Sequence, residues 1–298
     1  MFHGLSAFPL TPVRDGAIDF ESYERIVASA ASAGADSIGA LGSTGSYAYL
    51  NRNDRAAVAR AAVTAAGDVP VIVGVGAFST AAVLENVEDA AAAEAAGVLL
   101  AAVSYQPLGD AEVYGLFEDV TTRFPDVPVV LYDNPDTTGF TFSDELRARV
   151  AHLPSVVSIK LDSIPDRHDT AAAYVENLRR LVPDGVAIGI SGDAAAARGL
   201  LAGCGVWYSV LGGTFPSICR QLTTAALDGE DAVAQDVSTR LAPIWELFAK
   251  YGSFRTTAAI ATLSGLLPAD AVYAPVRPLT GGARWEVEAA LRTIGPLT

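Results

Sequence analysis

The sequence of 298 residues has few cations, few cysteines and no long uninterrupted apolar segment. Its 20 lysine and arginine residues are outnumbered by 34 aspartate and glutamate residues, which gives a formal net charge of −14. No run of basic residues interrupts this negative excess. Because nucleic acids and anionic membranes are bound mainly through clustered cations, we expect neither as a partner.

The chain also lacks the patterns of disulfide, metal and membrane proteins. Two cysteines, Cys204 and Cys219, are too few for a disulfide framework. Three histidines, His3, His152 and His168, show no spacing typical of a metal site. The apolar stretches stop short of the roughly 20 residues that span a bilayer, and the first residues do not resemble a signal peptide. We therefore expect a cytoplasmic protein without a metal.

Eight short apolar segments recur along the chain at a fairly even interval. Each is too short for a buried helix and rich in Val, Ile, Leu or aromatic residues, which is typical of a strand buried on both faces. The predicted strands are Leu5–Leu10, Ser37–Leu41, Val69–Val75, Val98–Val103, Val127–Tyr132, Val156–Leu161, Val186–Ile190 and Val206–Leu211.

Helical patterns lie between these strands, several of them with a polar residue before and a glycine after. The predicted helices are Ser22–Ala33, Arg52–Ala66, Thr80–Ala96, Ala111–Arg123, Ser143–Ala151, Thr170–Leu181, Ala194–Ala202 and Pro216–Leu227. Eight alternations predict a parallel (β/α)8 TIM barrel. A doubly wound open sheet is the alternative, but the first strand-to-helix loop lacks a Gly-x-Gly-x-x-Gly fingerprint.

The alternation stops near residue 228. We predict a (β/α)8 barrel over residues 1–227 that carries the active site, and a C-terminal helical extension over residues 228–298 packed on the barrel. The extension is predicted to contain helices Asp231–Tyr251, Phe254–Leu263 and Ala283–Thr293.

Lys160 stands out because the chain builds its basic surface almost entirely from arginine. Lys250 is the other lysine, which leaves 18 arginines among the 20 basic residues (20 − 2). A desolvated lysine can lose its proton and attack a carbonyl, whereas arginine stays protonated. The alternative is a lysine that extends from a strand end to solvent. Lys160 by itself does not decide between the two.

In a parallel barrel the active site lies at the C-terminal ends of the strands. The second strand ends in Gly42-Ser43-Thr44-Gly45, whose hydroxyls and amides could bind an oxyanion or simply form a glycine-rich turn. The other strand-end candidates are Tyr105, Tyr132, Lys160, Ser191-Gly192-Asp193 and Gly212-Gly213-Thr214. Convergence of an amine, a tyrosine and an anion-binding turn would form a Schiff-base site.

These motifs resemble the dihydrodipicolinate synthase / N-acetylneuraminate lyase family of class I, pyruvate-dependent aldolases. The resemblance extends from the N-terminus to the eighth strand. It rests on Phe8–Pro12 with Asp15-Gly16, on Gly42–Gly45, on Leu131–Pro135, on Ser158–Ser163 and on Ser191–Asp193.

The resemblance implies that Lys160 forms an imine with pyruvate or another 2-keto acid, with no separate cofactor or metal. Ser43, Thr44 and Gly45 would hold the carboxylate of the keto acid. Tyr132 would move protons, with Thr44 as a link in the relay and Tyr105 completing it. In the family the tyrosine that matches Tyr105 reaches across a dimer interface, which implies a homo-oligomer, either a dimer or a tetramer.

Four further residues are candidates for substrate binding. Ser191, Gly192 and Asp193 match a turn of the family, although Asp193 could instead cap the helix predicted to begin at Ala194. Tyr208 stands where the family has a smaller apolar residue and would narrow the pocket near the keto acid.

Two departures from the family pattern bear on the substrate. Ser46 replaces the usual glutamate after the glycine turn, and Thr138 stands where the synthases have an arginine that binds the second substrate's carboxylate. We therefore expect a lyase or aldolase acting on a 2-keto acid and an aldehyde rather than a true dihydrodipicolinate synthase. The alternatives are a 2-keto-3-deoxy sugar-acid dehydratase using the same imine, a non-catalytic keto-acid-binding protein, and a phosphate-binding barrel suggested by Gly212-Gly213-Thr214.

Overall fold

The computed structural model describes residues 2–269, 271–295 and 297. Eight parallel strands close into a barrel in which each strand pairs with the barrel strands before and after it in the chain, and the last pairs with the first. The barrel strands are β1 (Gly4–Ala7), β4 (Ser37–Ala40), β5 (Val71–Gly74), β6 (Gly97–Ala101), β7 (Val129–Tyr132), β8 (Val156–Leu161), β9 (Ala187–Ile190) and β10 (Val206–Ser209). The predicted TIM barrel is confirmed, and each predicted strand overlaps a strand of the structure.

Helices cover the outside of the barrel and continue beyond its last strand. The helices that end at or before residue 227 are α1 (Phe20–Ser32), α2 (Arg52–Ala66), α3 (Thr80–Ala92), α4 (Asp110–Arg123), α5 (Pro135–Thr138), α6 (Asp144–Ala151), α7 (His168–Leu181), α8 (Ala196–Leu201) and α9 (Pro216–Leu227). The C-terminal helices are α10 (Asp231–Arg240), α11 (Ala242–Tyr251), α12 (Ser253–Leu263) and α13 (Gly281–Ile294). No helix in the described ranges is long and apolar enough to cross a membrane.

A short hairpin after the first barrel strand was not predicted. Its strands, β2 (Val13–Arg14) and β3 (Ala17–Ile18), are antiparallel and flank Asp15 and Gly16. Both turn residues have positive φ, 52° and 81°, as a two-residue type I′ turn requires. Strands of two residues are too short to show an alternating pattern, so only the Asp-Gly pair signalled this turn.

The first predicted C-terminal helix is interrupted. α10 ends at Arg240 and α11 begins at Ala242, with Pro243 in its first turn. Proline cannot donate the backbone hydrogen bond that a continuous helix needs, but it suits the first turn of a new one.

The C-terminal helices share a hydrophobic core with the barrel. Ala234, Val237, Leu241 and Ile244 belong to the same cluster as the outward-facing residues of the strands. The division of the chain into two parts between residues 227 and 228 therefore remains a prediction. Thr298, the last residue of the predicted extension, lies outside the described residues.

Large aromatic side chains fill the barrel interior where neighbouring strands carry glycine. A Cβ atom on Gly39 would lie 2.3 Å from the Phe8 ring, and one on Gly189 would lie 2.4 Å from the Tyr208 ring. Tyr132 belongs to the same interior cluster as both rings. The absence of a side chain at these glycines gives the rings the space they occupy around the upper part of the barrel.

Candidate active site

Lys160 lies in the mouth of the barrel, beside Tyr132 on β7 and Gly189 on β9 in strand register. Lys160 is only 4% exposed to solvent. The Nζ atom donates a hydrogen bond to Ser191 Oγ at 2.6 Å and lies 4.2 Å from the centre of the Tyr132 ring and 5.3 Å from that of Phe8. Lys160 is thus a buried amine held among aromatic rings and a hydroxyl, not a cation extended to solvent.

Tyr132 is joined by hydrogen bonds to the turn after β4 and to its own loop. Its hydroxyl donates to Ser43 Oγ at 3.2 Å and accepts from Asn134 Nδ2 at 2.9 Å. Asn134 is fixed in turn because its side-chain oxygen accepts the backbone N–H of Thr137 at the start of α5. The hydroxyl in contact with Tyr132 is therefore that of Ser43, and the relay through Thr44 stays a prediction.

The turn that carries Ser43 depends on two close approaches of the backbone. A Cβ atom on Gly45 would lie 2.9 Å from Leu41 Cα, and one on Gly42 would lie 2.7 Å from the Phe8 ring. Leu41 itself has a left-handed backbone, with φ of 56°. The left-handed residue and the two close approaches fix the path of the turn, in which the Ser43 side chain contacts Tyr132.

A buried arginine stabilises the loops next to this turn, where Ser46 replaces the glutamate of the family pattern. Arg55 donates to the carbonyl oxygens of Gly74 and Gly76 at 2.9 and 3.0 Å, and its guanidinium lies 5.3 Å from the centre of the Tyr47 ring. Burial lowers the pKa of Arg55 to about 10. Burial also raises the pKa of Tyr47 to about 12, and the proximity of Tyr132 adds to that effect.

The loops after β8 and β9 meet above Lys160. The backbone N–H of Ser191 donates to the Leu161 carbonyl at 2.6 Å. Gly192 has a φ of 70°, and a Cβ atom there would lie 2.8 Å from the Asp162 carbonyl oxygen. Burial raises the pKa of the half-buried Asp162 carboxyl, while Lys160 nearby opposes that shift. Asp162 was not among the predicted site residues, although its position two residues after Lys160 was a usable signal.

Asp193 is turned away from the barrel mouth. Its carboxylate is 3% exposed and accepts hydrogen bonds from Trp207 Nε1 at 3.0 Å, Val210 N at 3.2 Å and Leu211 N at 2.7 Å. Burial raises the pKa of Asp193, although these donors oppose the shift. Its oxygens accept hydrogen bonds from the turn after β10, so these contacts do not favour substrate binding by Asp193, which stays a prediction. It does not cap a helix at Ala194 either.

Tyr208 forms part of the floor beneath the lysine. Its hydroxyl lies 2.6 Å from Ser158 Oγ, one layer deeper in the barrel than Lys160. Its ring packs edge-on against Phe8, with 5.9 Å between ring centres. Tyr208 can therefore limit the depth of the pocket, but its hydroxyl does not point to the site of a bound keto acid.

Tyr105 is not brought to Tyr132 within the single chain. It lies in the loop between β6 and α4, is 87% exposed, and makes no hydrogen bond to any described residue. That Tyr105 completes the proton relay stays a prediction.

The turn after β10 does not form an open phosphate cradle. A Cβ atom on Gly213 would lie 2.1 Å from the Phe8 carbonyl oxygen, so this turn packs directly against the backbone after β1. The glycines at 212 and 213 are thus explained by close packing.

Phe8 and Asn134 were missed as contributors to the site. Phe8 lies in the opening motif and borders Lys160, but an aromatic residue after a strand gives no signal of that contact. Asn134 could have been found, because asparagine directly before proline is a typical start of a helix. This capping role fixes the Asn134 side chain next to Tyr132.

The fold and the site together define a (β/α)8 barrel with a buried lysine amine at the end of its sixth barrel strand. A family model described as the dihydrodipicolinate synthetase family matches residues 1–294. The chain belongs to this family, as its motifs predicted. Enzymes of the family are pyruvate-dependent lyases or aldolases that use a lysine Schiff base and no external cofactor.

Individual relatives match over nearly the whole chain. The 4-hydroxy-tetrahydrodipicolinate synthase of Thiobacillus denitrificans is 32% identical, covering 95% of this chain and 94% of that protein. The one from Phenylobacterium zucineum is 29% identical over 99% of this chain and 98% of its own length. The crystal structure of dihydrodipicolinate synthase from Agrobacterium tumefaciens is 39% identical, with a TM-score of 0.94 and coverage of 99% and 98%.

The described part of the chain contains no group of three or more His, Cys, Asp or Glu side chains that could hold a metal ion.

We expect Asp193→Ala to lower the free energy of unfolding by about 2–4 kcal/mol, because it leaves the Trp207 indole and two backbone N–H groups without an acceptor. Denaturant unfolding measures this loss. Asp119→Ala, which removes an exposed carboxylate from α4, is the control and should change stability by less than about 0.5 kcal/mol. Unchanged stability of Asp193→Ala together with a raised KM would instead identify Asp193 as a substrate ligand.

Proposed function

We propose that this protein is a class I lyase or aldolase in which Lys160 forms an imine with pyruvate or another 2-keto acid. The enzyme then cleaves or forms a carbon–carbon bond to an aldehyde. The observation that carries this proposal is the buried Lys160 amine, 2.6 Å from Ser191 Oγ and 4.2 Å from the Tyr132 ring, in a chain of a pyruvate-dependent family.

The first step joins the amine to the keto acid. Lys160 Nζ attacks the ketone carbon, and loss of water leaves the imine. The protonated imine withdraws electrons from the neighbouring carbon. In the cleavage direction the electrons of the breaking carbon–carbon bond pass into an enamine, and the substrate hydroxyl loses its proton as the aldehyde forms.

Tyr132 is the group we assign to that proton. The Tyr132 ring borders Lys160, and its hydroxyl donates a hydrogen bond to Ser43 Oγ. A proton taken from the substrate hydroxyl can therefore move through Tyr132 toward Ser43. The reverse movement serves condensation.

The turn Gly42–Gly45 is our candidate for holding the carboxylate of the keto acid. Its amides lie between glycines, as in a small anion-binding nest, and Ser43 lies next to the phenol of Tyr132. Thr44 and Gly45 remain proposed carboxylate contacts through their backbone N–H groups.

The second substrate is proposed to differ from that of the relatives named 4-hydroxy-tetrahydrodipicolinate synthase. Thr138 is buried, and its hydroxyl donates to the Asn134 carbonyl at 2.9 Å, so this position supplies no cation. Dehydration of a 2-keto-3-deoxy sugar acid through the same imine is a second candidate. It is favoured by Asp162, a half-buried carboxyl two residues after Lys160 that could protonate a departing hydroxyl.

We further propose that the protein forms a homo-oligomer in the cytoplasm, either a dimer or a tetramer. Tyr49, Phe78 and Tyr105 are all exposed, and they follow the consecutive barrel strands β4, β5 and β6. Loops after parallel strands lie at the same end of a barrel, so these rings can form one apolar surface for a second copy.

Pyruvate and borohydride are expected to leave a stable adduct on Lys160, because reduction converts the imine into an amine that cannot hydrolyse. Intact-mass measurement and peptide mapping detect it. Lys160→Ala should abolish the adduct, and Lys250→Ala, which removes the other lysine, should retain it. Absence of an adduct with a series of 2-keto acids, or an adduct that persists in Lys160→Ala, would reject the proposed function.

Tyr132→Phe is expected to retain the borohydride-trapped adduct but to lower turnover by roughly 10²-fold or more, since a proton-transfer group is removed while the ring remains. Single-turnover trapping and steady-state rates separate the two effects. Tyr208→Phe is the matched control, because its hydroxyl bonds Ser158 and should affect turnover far less. Equal turnover in Tyr132→Phe and the wild type would remove Tyr132 from the mechanism.

Sedimentation of the wild-type protein is expected to show a dimer or a tetramer. Tyr105→Asp should shift it toward the monomer, because a carboxylate would then be buried in the proposed apolar contact. Trp285→Asp alters another exposed aromatic residue, on α13, and should leave the assembly intact. A monomeric wild type would contradict the proposed assembly.

A further inference from the structure

The Tyr132 hydroxyl has two hydrogen-bond partners of different chemistry. Asn134 Nδ2 lies 2.9 Å from the phenol oxygen, and Ser43 Oγ lies 3.2 Å from it. An amide nitrogen can only donate a hydrogen bond, whereas a serine hydroxyl can donate or accept one. The direction of the phenol proton therefore depends on which atom of the Asn134 side chain faces Tyr132.

The start of α5 fixes the orientation of the Asn134 amide. Asn134 is the N-cap residue of this helix, and its Oδ1 accepts the backbone N–H of Thr137 at 3.3 Å. A reversed amide would place its NH2 group against that N–H, so two donors would face each other without an acceptor. The cap therefore keeps Oδ1 on the helix and leaves Nδ2 facing the phenol.

The backbone of Asn134 is held in place as well. Its carbonyl oxygen accepts from the Thr138 backbone N–H at 3.0 Å and from the Thr138 hydroxyl at 2.9 Å. Thr138 is buried, and Pro135 restricts the backbone of the residue before it. The amide that faces Tyr132 is thus carried by a well-fixed loop.

These constraints assign the proton of the phenol. Because the Tyr132 oxygen accepts a hydrogen bond from Asn134 Nδ2, its own proton is left for Ser43. A phenol oxygen that receives a proton from the substrate can then release its own toward Ser43. Asn134 still donates to that oxygen while its charge changes, and a hydrogen bond to the charged form stabilises it.

We propose that Asn134 is a positioning residue of the proton relay. Its amide directs the Tyr132 proton toward Ser43 and stabilises the phenol oxygen during proton transfer. This inference rests on the proposed imine chemistry at Lys160, and it assigns no substrate contact to Asn134. It requires a hydrogen-bond donor at position 134, whereas a purely capping role requires only an acceptor.

Two substitutions separate the donor from the acceptor. Aspartate and serine cap helices about as well as asparagine, so Asn134→Asp and Asn134→Ser should keep the denaturant midpoint of the wild type. The aspartate replaces the donor with a second acceptor, which attracts the Tyr132 proton away from Ser43. Serine keeps a capping oxygen and adds no charge, but it is too short to reach the phenol.

Exchange of the pyruvate methyl protons with D2O measures the relay without a second substrate. In this step the phenol oxygen takes a methyl proton from the protonated imine, and its own proton passes to Ser43, which is half-buried and can release a proton to solvent. The electrons of the carbon–hydrogen bond form the enamine and neutralise the imine nitrogen. Return of a deuteron along the same path completes the exchange, which NMR follows as loss of the methyl signal.

We expect Tyr132→Phe and Asn134→Asp to slow this exchange by at least about 10-fold, and Asn134→Ser to fall between Asn134→Asp and the wild type. The loss should appear in kcat, while the KM for pyruvate of the neutral Asn134→Ser stays within about threefold of the wild-type value. The borohydride-trapped adduct should form in each variant. If Asn134→Asp lowers the denaturant midpoint, Asn134→Ser supplies the same comparison.

Ser143→Asp is the matched control. Ser143 caps α6 as Asn134 caps α5, with its hydroxyl accepting the backbone N–H of Leu146. The substitution therefore keeps a cap and adds a carboxylate at a helix start outside the lysine site. It should leave the exchange rate unchanged.

A double-mutant cycle decides whether Asn134 acts through Tyr132. In the Tyr132→Phe background there is no phenol to orient, so substitution of Asn134 should change exchange by less than about twofold. Equal losses in both backgrounds, or wild-type exchange in Asn134→Asp and Asn134→Ser, would overturn the proposal. An absence of exchange in wild-type protein that forms the pyruvate adduct would also overturn it, whereas a missing adduct would identify failure of the imine chemistry instead.

Discussion

The packing of aromatic rings around Lys160 is the constraint on which the rest of the site depends. Phe8 and Tyr132 border the amine, and Tyr208 lies beneath it with its hydroxyl bonded to Ser158. The rings of Phe8 and Tyr208 fit because Gly39 and Gly189 lie on neighbouring strands, where a Cβ atom would collide with them. The result is a closely packed apolar layer below one amine at the barrel mouth, and the Ser191 hydroxyl is the hydrogen-bond partner of that amine.

Several polar groups at the mouth make hydrogen bonds that stabilise the scaffold. Asp193 stabilises the turn after β10, and Arg55 holds the carbonyl oxygens at the end of β5. Buried polar groups require such partners, so a polar residue at a strand end can be explained by the structure it stabilises. The groups that we propose for the chemistry are fewer: the amine of Lys160, the hydrogen-bonded hydroxyls of Tyr132 and Ser43, and the carboxyl of Asp162.

The C-terminal helices belong to the same packed body as the barrel. Their apolar faces join its hydrophobic core, while Gln235, Ser238 and Thr239 of α10 line a polar cleft together with Arg198.

The sequence by itself determined the barrel and the bounds of α2 and α9, and it placed Lys160 and Tyr132 at the ends of neighbouring strands, because periodicity and strand ends are local properties. It also signalled the family. Tertiary structure alone decided that Ser43 contacts Tyr132 across 89 residues, that Asp193 turns to Trp207, and that Arg198 lines a cleft with α10. Those contacts depend on left-handed turns and on closure of the barrel, which bring together side chains from elements far apart in the chain. A local sequence pattern does not contain the orientation of a side chain toward a distant element.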